Sequence, residues 1–182
     1  MSTIDRLPHV CLLALFNILS TSDLVNVSLT CRTFYKILVS TKRPFTLLDF
    51  RCFERRMTYI PNKGIWSNIT HVKFLSLRFC VKVSNFAPLK DMVRLISLDI
   101  YCTNISGEEL CEFIPMGLIG INLGYCERLT SSKLLQEFLH QRCSLEMVGL
   151  SALNQAVNDE VSTKREFWSL AYYCVRLRLP VV

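Results

Sequence analysis

The chain lacks any apolar run that approaches the roughly 18 residues of a membrane span. Its first apolar stretch, residues 10–16, could belong to a signal peptide. However, the charges of Asp5 and Arg6 cancel ahead of it, and no small-residue cleavage site follows. We therefore expect a soluble protein that is not secreted and has no membrane partner.

The sequence also lacks closely spaced cysteine pairs, although it contains nine cysteines. Zinc sites and disulfide frameworks need paired or closely spaced ligands, so the odd count and the scattered positions argue against both. We expect buried thiols in a reducing compartment. The cysteines are Cys11, Cys31, Cys52, Cys80, Cys102, Cys111, Cys126, Cys143 and Cys174.

Catalytic motifs are missing as well. There is no G-x-S-x-G sequence, no Walker loop and no metal-binding pair. The three histidines, His9, His71 and His140, are isolated from one another, which favours surface or packing roles over that of a general base. We expect no enzymatic activity and no cofactor.

Basic residues exceed acidic ones by six, yet no run of four or more Lys or Arg occurs. A basic stripe that follows a phosphate backbone needs clustering, so a mixed solvated surface explains this charge better. Nucleic-acid binding is motivated by the charge alone, and we rank it third, after the two protein-binding hypotheses given below. The prediction is that no nucleic acid is bound.

A repeat is the main feature that the sequence does contain. The template L-x-x-L-x-L-x-x-C fits "LIGINLGYC" from residue 118 and "VKFLSLRFC" from residue 72. Thr103 replaces Cys in the copy from residue 95, Leu153 replaces it in the copy from residue 145, and a weaker copy starts at Phe45. The steps of 27, 23, 23 and 27 residues fall within the about 20 to 29 residues of leucine-rich repeats.

Each copy predicts a short strand followed by a return helix, and stacked copies share one core. An ordinary α/β domain is the alternative explanation of these leucines. Cys126 would end one strand, and Leu134, Leu135, Phe138 and Leu139 have the spacing of an inward helix face. Helix starts are predicted at Thr130 or Ser131, at Ser106 with Glu109, and at Thr163 with Glu166.

Residues 7–38 predict three short helices, with Pro8 in the first turn and a second start at Ser20 with Asp23 or at Ser22. The third would run from Cys31 to about Val39. Helices this short are marginal alone. We expect them to pack against the repeats or against another protein.

Both parts resemble known families. The stretch "LGYCERLTSSKLLQEFLHQRCSL" is similar to the cysteine-containing leucine-rich repeat. The N-terminal segment resembles an F-box in its Leu7-Pro8 opening, residues 16–19, Asp23-Leu24 and the "V-x-L-x-C-R-x-F" of residues 27–34. This resemblance implies an α/β protein in which a three-helix F-box, residues 1–44, precedes a solenoid of parallel strands and return helices, residues 45–182. About five repeats are expected, the C-terminal one incomplete.

The F-box resemblance further implies the substrate receptor of an SCF-type cullin-RING ubiquitin ligase. The F-box would bind the Skp adaptor, and through it cullin, in the cytoplasm and/or nucleus, while the repeats would hold a protein substrate. The alternative is a non-catalytic scaffold or decoy that binds a protein partner without ubiquitin transfer. The residues expected to support adaptor binding are Leu7, Pro8, Leu12, Phe16, Leu19, Leu24, Val27 and Phe34. The sequence does not separate those that contact the adaptor from those that face the bundle core.

Strand alternation predicts the substrate face, because residues between the inward template positions point to the open side of the sheet. The predicted open-face residues are Leu47, Asp49, Arg51, Phe74, Ser76, Arg78, Ser97, Asp99, Tyr101, Gly120, Asn122, Gly124, Met147, Gly149 and Ser151. The substrate contacts expected among them are Phe74, Arg78, Asp99, Tyr101, Asn122 and Met147. The alternative is that these are only solvent-facing strand residues.

Overall fold

The computed structural model describes residues 7–40, 46–67, 69–129 and 132–150. Three helices come first: α1 (His9–Ile18), α2 (Thr21–Thr30) and α3 (Arg32–Ser40). Five strands follow: β1 (Leu47–Asp49), β2 (Phe74–Ser76), β3 (Ser97–Asp99), β4 (Gly120–Asn122) and β5 (Met147–Gly149). Helix α4 (Gly107–Phe113) precedes β4, and helix α5 (Ser132–Gln141) precedes β5. The fold is α/β.

The three N-terminal helices form a small bundle, as the sequence predicts. The Ser20 hydroxyl accepts a hydrogen bond from the Asp23 amide at 3.1 Å and so caps α2. Phe16 of α1 meets Phe34 of α3 edge to face, with ring centroids 5.5 Å apart. This aromatic contact ties the first helix of the bundle to the third.

The five strands form one parallel sheet in the order of the sequence. Every strand is three residues long and pairs without a change of register, so Leu48, Leu75, Leu98, Ile121 and Val148 form one buried row. These five residues occupy the same template position in the five sequence copies. The copies found in the sequence are therefore equivalent units of the structure.

The sequence predicts a return helix in every copy, but among the described residues α-helices precede only β4 and β5 within the repeats. Between β1 and β3 the helical segments of the described residues are all short 3-10 turns: Arg51–Arg56, Gly64–Trp66, Ile69–His71 and Ala87–Asp91. Pro88 lies at the start of the last of these turns, and Pro61 interrupts the first copy. Proline removes an amide donor, which favours short turns over a continued helix. The predicted capping box at Ser106 and Glu109 is confirmed at α4.

The cysteine position of the template has a structural explanation. The Cys80 thiol donates to the Phe50 carbonyl at 3.6 Å, and the Cys126 thiol donates to the Ile100 carbonyl at 3.1 Å. Each bond joins a thiol to the backbone of an earlier copy. Burial is nevertheless not general, because Cys11, Cys52 and Cys143 are exposed, contrary to the prediction.

The residue before that position adopts a left-handed backbone in three successive copies. Phe79, Cys102 and Tyr125 have φ of 64°, 56° and 57°. None of them is glycine, so each turn carries a local conformational cost. A turn repeated at three equivalent positions shows that the copies share backbone geometry beyond the strands.

The helical bundle covers the edge of the sheet that is formed by β1. The buried Thr21 hydroxyl, at the start of α2, accepts a hydrogen bond from the Asp49 amide of edge strand β1 at 2.8 Å. One hydrophobic core runs from Leu12 in the bundle to Leu150 after β5. The edge strand is thus paired on one side and capped by the bundle on the other.

A buried arginine joins the last two described helices. Arg142 donates to the carbonyls of Cys111 and Ile114 at 3.1 and 2.7 Å, and its guanidinium lies 4.4 Å from the Phe138 ring centroid. The cation satisfies carbonyls at the end of α4, where positive charge is favourable. The sequence pattern did not single out this residue.

Some predictions concern residues outside the described ranges. They include the helix start at Thr130 or Ser131, the capping box at Thr163 and Glu166, and the template positions of Phe45 and Leu153. Cys174 and Ser151 also lie there. Within the ranges that are described, no helix has the length and apolarity to cross a bilayer.

Replacing Thr21 tests the link between bundle and sheet. Thr21→Val keeps the side-chain shape but removes the acceptor of the Asp49 amide, so we expect a loss of about 1 to 3 kcal/mol in the free energy of unfolding. Thr21→Ser keeps the acceptor and should lose clearly less. Urea denaturation of the two variants measures the difference. Equal losses would mean that this hydrogen bond does not hold the edge strand.

Cys102 offers a test of the left-handed turn. Cys102→Gly relieves the positive φ, so stability should stay within about 0.5 kcal/mol of the parent even though a half-buried side chain is lost. Cys102→Val places a β-branched side chain in the same conformation and should cost about 1 to 2 kcal/mol. Thermal unfolding ranks the two variants. A glycine variant less stable than the valine variant would contradict the assigned turn.

Candidate adaptor-binding and partner-binding surfaces

Two of the six predicted substrate contacts are buried. Phe74 is 6% exposed and Asp99 is 1% exposed, which corrects the prediction that both are open to a partner. Phe74 pairs in register with Leu47 on one side and Ser97 on the other, and strands this closely spaced crowd their side chains. Truncating Phe74 is therefore expected to reduce stability as well as any binding.

The other four predicted contacts remain partly accessible. Arg78, Tyr101, Asn122 and Met147 are half-buried. The structure brings together Arg78, Tyr101 and Asp99, at the ends of β2 and β3. The Arg78 guanidinium lies 4.1 Å from the Tyr101 ring centroid and 3.7 Å from an Asp99 carboxylate oxygen. Within the described residues, no hydrogen bond, ion pair or ring contact joins Asn122 or Met147 to this group.

Asp99 has a structural role in addition to its ion pair. Its Oδ1 accepts a hydrogen bond from the Tyr101 amide at 3.1 Å. Asp49 and Asn122, at the same template position, accept from the amides of Arg51 and Gly124 in the same way. Burial raises the pKa of Asp99, while the Tyr101 amide and the Arg78 charge oppose the rise. At the ends of β1, β3 and β4 the polar side chain at this position therefore accepts a backbone hydrogen bond from the turn that follows.

Two exposed aromatic residues that the sequence analysis missed complete a row across three copies. Phe79 and Tyr125 are 40% and 49% exposed, and Tyr101 lies between them. The ring centroids are 5.5 Å apart from Phe79 to Tyr101 and 5.1 Å apart from Tyr101 to Tyr125. Phe79 and Tyr125 share the template position before the cysteine, which is the signal that could have identified them.

The eight residues of the helical bundle that were predicted to support adaptor binding fall into a buried group and an accessible group. Leu12, Phe16, Leu24 and Phe34 are buried in the core. The sequence left open which of the eight residues contact the adaptor and which face the bundle core, and burial assigns these four to the core. Leu7 and Pro8 are exposed, and Leu19 and Val27 are half-buried. Four of the eight residues thus remain at least partly accessible to a partner.

The outer face of α1 is largely apolar, with Asn17 as its polar residue, and it is uncovered among the described residues. Val10, Ala14 and Ile18 recur at every fourth position and are all exposed, opposite the buried Leu12 and Phe16. The helix contains no charged Asp, Glu, Lys or Arg. Helices that are apolar all round are normally buried. The outer face of α1 is therefore suited to contact another protein.

Exposed apolar side chains are concentrated in this bundle. Of the twelve large ones in the described part of the chain, seven belong to residues 7–40. The residues of this set are Leu7, Val10, Leu15, Ile18, Leu29, Tyr35 and Val39. Sequence reasoning named only Leu7 among them as an adaptor contact. In α1 the reason is that a helix with two apolar faces has no polar side to indicate which face is inward.

Comparison with known proteins addresses this bundle. Residues 4–44 match the family model of F-box-like domains. The N-terminal bundle is therefore similar to F-box-like domains. Such domains are generally non-catalytic adaptor modules, which typically bind the Skp adaptor. A search of curated proteins returned no match to the chain.

The two buried thiols at the cysteine position of the template, Cys80 and Cys126, are poorly suited to nucleophilic or metal-binding chemistry. Burial raises the pKa of Cys80 to about 12, and nearby negative charge adds to the rise. Burial also raises the pKa of Cys126. Thiolates are the reactive and metal-binding form, so these two thiols are structural donors. Within the described ranges no group of His, Cys, Asp and Glu could hold a metal ion.

Alkylation distinguishes structural from accessible thiols. With iodoacetamide at about pH 8 we expect modification of the exposed Cys11 and Cys143 and protection of Cys80 and Cys126, since the latter are buried and protonated. Peptide mass spectrometry after timed quenching measures each site, and a denatured sample gives the unprotected rate. Modification of Cys80 in the native chain as fast as Cys143 would contradict the assignment.

Proposed function

We propose that this chain is the substrate-recognition subunit of an SCF-type cullin-RING ubiquitin ligase. In this proposal the F-box-like domain binds the Skp adaptor, which connects the chain to cullin, and the repeats bind the protein to be ubiquitinated. The chain performs no bond chemistry itself. The observation that carries the proposal is an F-box-like domain whose α1 presents an uncovered apolar face.

The proposed domain division is an F-box at residues 1–44 and leucine-rich repeats at residues 45–182. Support for the repeats comes from five copies at steps of 23 or 27 residues and from five strands in constant register. The left-handed turns at Phe79, Cys102 and Tyr125 add a second shared feature. Repeat proteins stack units that contact mainly their neighbours, and this sequential sheet fits that description.

The junction between the two parts suits a ligase receptor. Thr21 caps the edge strand, and the core continues from the bundle into the sheet. A partner bound to the repeats would therefore keep a fixed position relative to the adaptor. Holding two reactants in a defined geometry favours transfer between them. The free thiols of all eight described cysteines fit our proposal of a location in the cytoplasm and/or nucleus.

A matched pair of valine substitutions tests adaptor binding. Val10 in α1 is 76% exposed and Val93 in the repeats is 68% exposed. Val10→Glu should lower the affinity for the Skp adaptor at least about 30-fold and so reduce co-purification, since it introduces a charge into an apolar contact. Glu in the first turn of a helix is compatible with folding. Val93→Glu should leave adaptor binding unchanged.

Three results would oppose this function. The first is failure of the parent chain to capture the adaptor when an established F-box protein does so under the same conditions. The second is equal binding by both valine variants. The third concerns the scaffold or decoy alternative, which shares the same binding surfaces. Reconstituted ubiquitin transfer separates it, because a partner that binds but receives no ubiquitin, with adaptor and cullin present, favours the decoy.

A further inference from the structure

We propose that the turns after strands β1 to β4 bind an acidic polypeptide segment of the protein held by the repeats. We call this surface the turn edge and define it as residues 50–58, 77–83, 100–105 and 123–129. Parallel strands all end at one side of a sheet, so these four turns are neighbours. The inference deepens the proposed function, because it names the chemistry of the partner.

Charge on the turn edge favours an acidic partner. Six Lys or Arg side chains and two Glu side chains lie in these turns, and all are exposed except the half-buried Arg78. The cations are Arg51, Arg55, Arg56, Arg78, Lys82 and Arg128. Arg51 and Arg78 are partly neutralised by the strand-end carboxylates of Asp49 and Asp99. A net positive edge attracts negatively charged segments and orients them.

Three of these cations have no acidic partner within the described residues. Arg55, Arg56 and Lys82 form no ion pair there and are exposed. Arg128 approaches Glu109 only at 3.9 Å. The positive charge is therefore available to a ligand. On the opposite side of the sheet, residues 72–73, 87–96 and 143–146 lead into β2, β3 and β5. They carry three exposed cations and two exposed acids: Lys73, Lys90, Asp91, Arg94 and Glu146.

The aromatic row supplies an apolar anchor beside this charge. Phe79 and Tyr125 expose ring surface at the two ends of the row, and Arg78 stacks on Tyr101 between them. Aromatic and arginine side chains dominate interface energies when they become desolvated. The separation of 3.7 Å between Arg78 and Asp99 is long for a charge-assisted hydrogen bond. Arg78 can therefore also bind a partner carboxylate.

The same features distinguish a polypeptide from a nucleic acid. Single-stranded nucleic acids need ring faces on which bases can stack. The Arg78 guanidinium covers one face of Tyr101 at 4.1 Å, and the neighbouring rings pack edge-on or tilted against it. Carboxylates need only exposed N–H donors, which arginine provides in pairs. The arrangement therefore favours acidic side chains over bases.

Fluorescence anisotropy with a defined probe tests the proposal. The probe is a labelled short peptide of Asp and Glu around one Trp, and its control replaces every acid with Asn or Gln. Both are titrated with the full chain bound to the Skp adaptor. We expect the acidic peptide to bind at least about tenfold more tightly than the amide peptide, and less tightly as salt rises.

Variants locate the site. The double variant Arg55→Gln with Arg56→Gln should weaken the acidic peptide by at least about fivefold, since it removes two exposed cations from the turn edge. Tyr125→Ala should weaken it through the lost ring contact. Arg94→Gln removes an exposed cation from the opposite side and is the matched control, for which no change is expected. All are exposed positions, so folding should be retained.

Each outcome decides for or against the turn edge. Equal binding of the acidic and amide peptides, or equal weakening by the Arg94 variant, would overturn the proposal. Tighter binding of a labelled single-stranded RNA than of the acidic peptide would also overturn it, provided that the same variants abolish the RNA binding. Adaptor co-purification is scored on the same preparations. Failure of peptide binding with intact adaptor binding rejects this inference alone, whereas loss of adaptor binding rejects the proposed function.

Discussion

Pairing of three-residue strands in constant register is the constraint on which the rest of the structure depends. A strand this short has no stability alone, so each copy needs a neighbour on both sides. The buried row through Leu48, Leu98 and Val148 keeps that register, because a shift by one residue would turn apolar side chains outward. Thiol-to-carbonyl bonds from Cys80 and Cys126 then join the copies from residues 72 and 118 to the copies before them.

The first strand of such an array would leave an open edge, and the F-box-like domain covers it. Thr21 accepts the hydrogen bond of the Asp49 amide, and the bundle core joins that of the sheet. This arrangement leaves two surfaces in fixed relation. The outer face of α1 and the basic, aromatic turn edge differ in chemistry. In the proposed function this difference would let one molecule bind two different partners without competition between them.

Sequence periodicity predicted the elements because apolar spacing directly reflects burial. The strands, the three N-terminal helices and the caps at Ser20 and Ser106 followed from it. It could not divide α1 between core and surface, since both faces are apolar, and it treated Phe74 as open although its strand neighbours enclose it. The buried Arg142 and the left-handed turns depend on tertiary contacts and backbone geometry, which residue spacing does not encode.

The proposed division of the chain into an adaptor-binding bundle and a partner-binding array can be tested by hydrogen exchange. Mass spectrometry of the full chain, with and without the Skp adaptor, reports on both surfaces at once. We expect slower exchange within residues 7–40 when the adaptor is added, while amides of residues 100–105 and 123–129 should exchange as in the free chain. Protection that appeared on those turns instead of on the bundle would contradict this expectation, as would no protection at saturating adaptor.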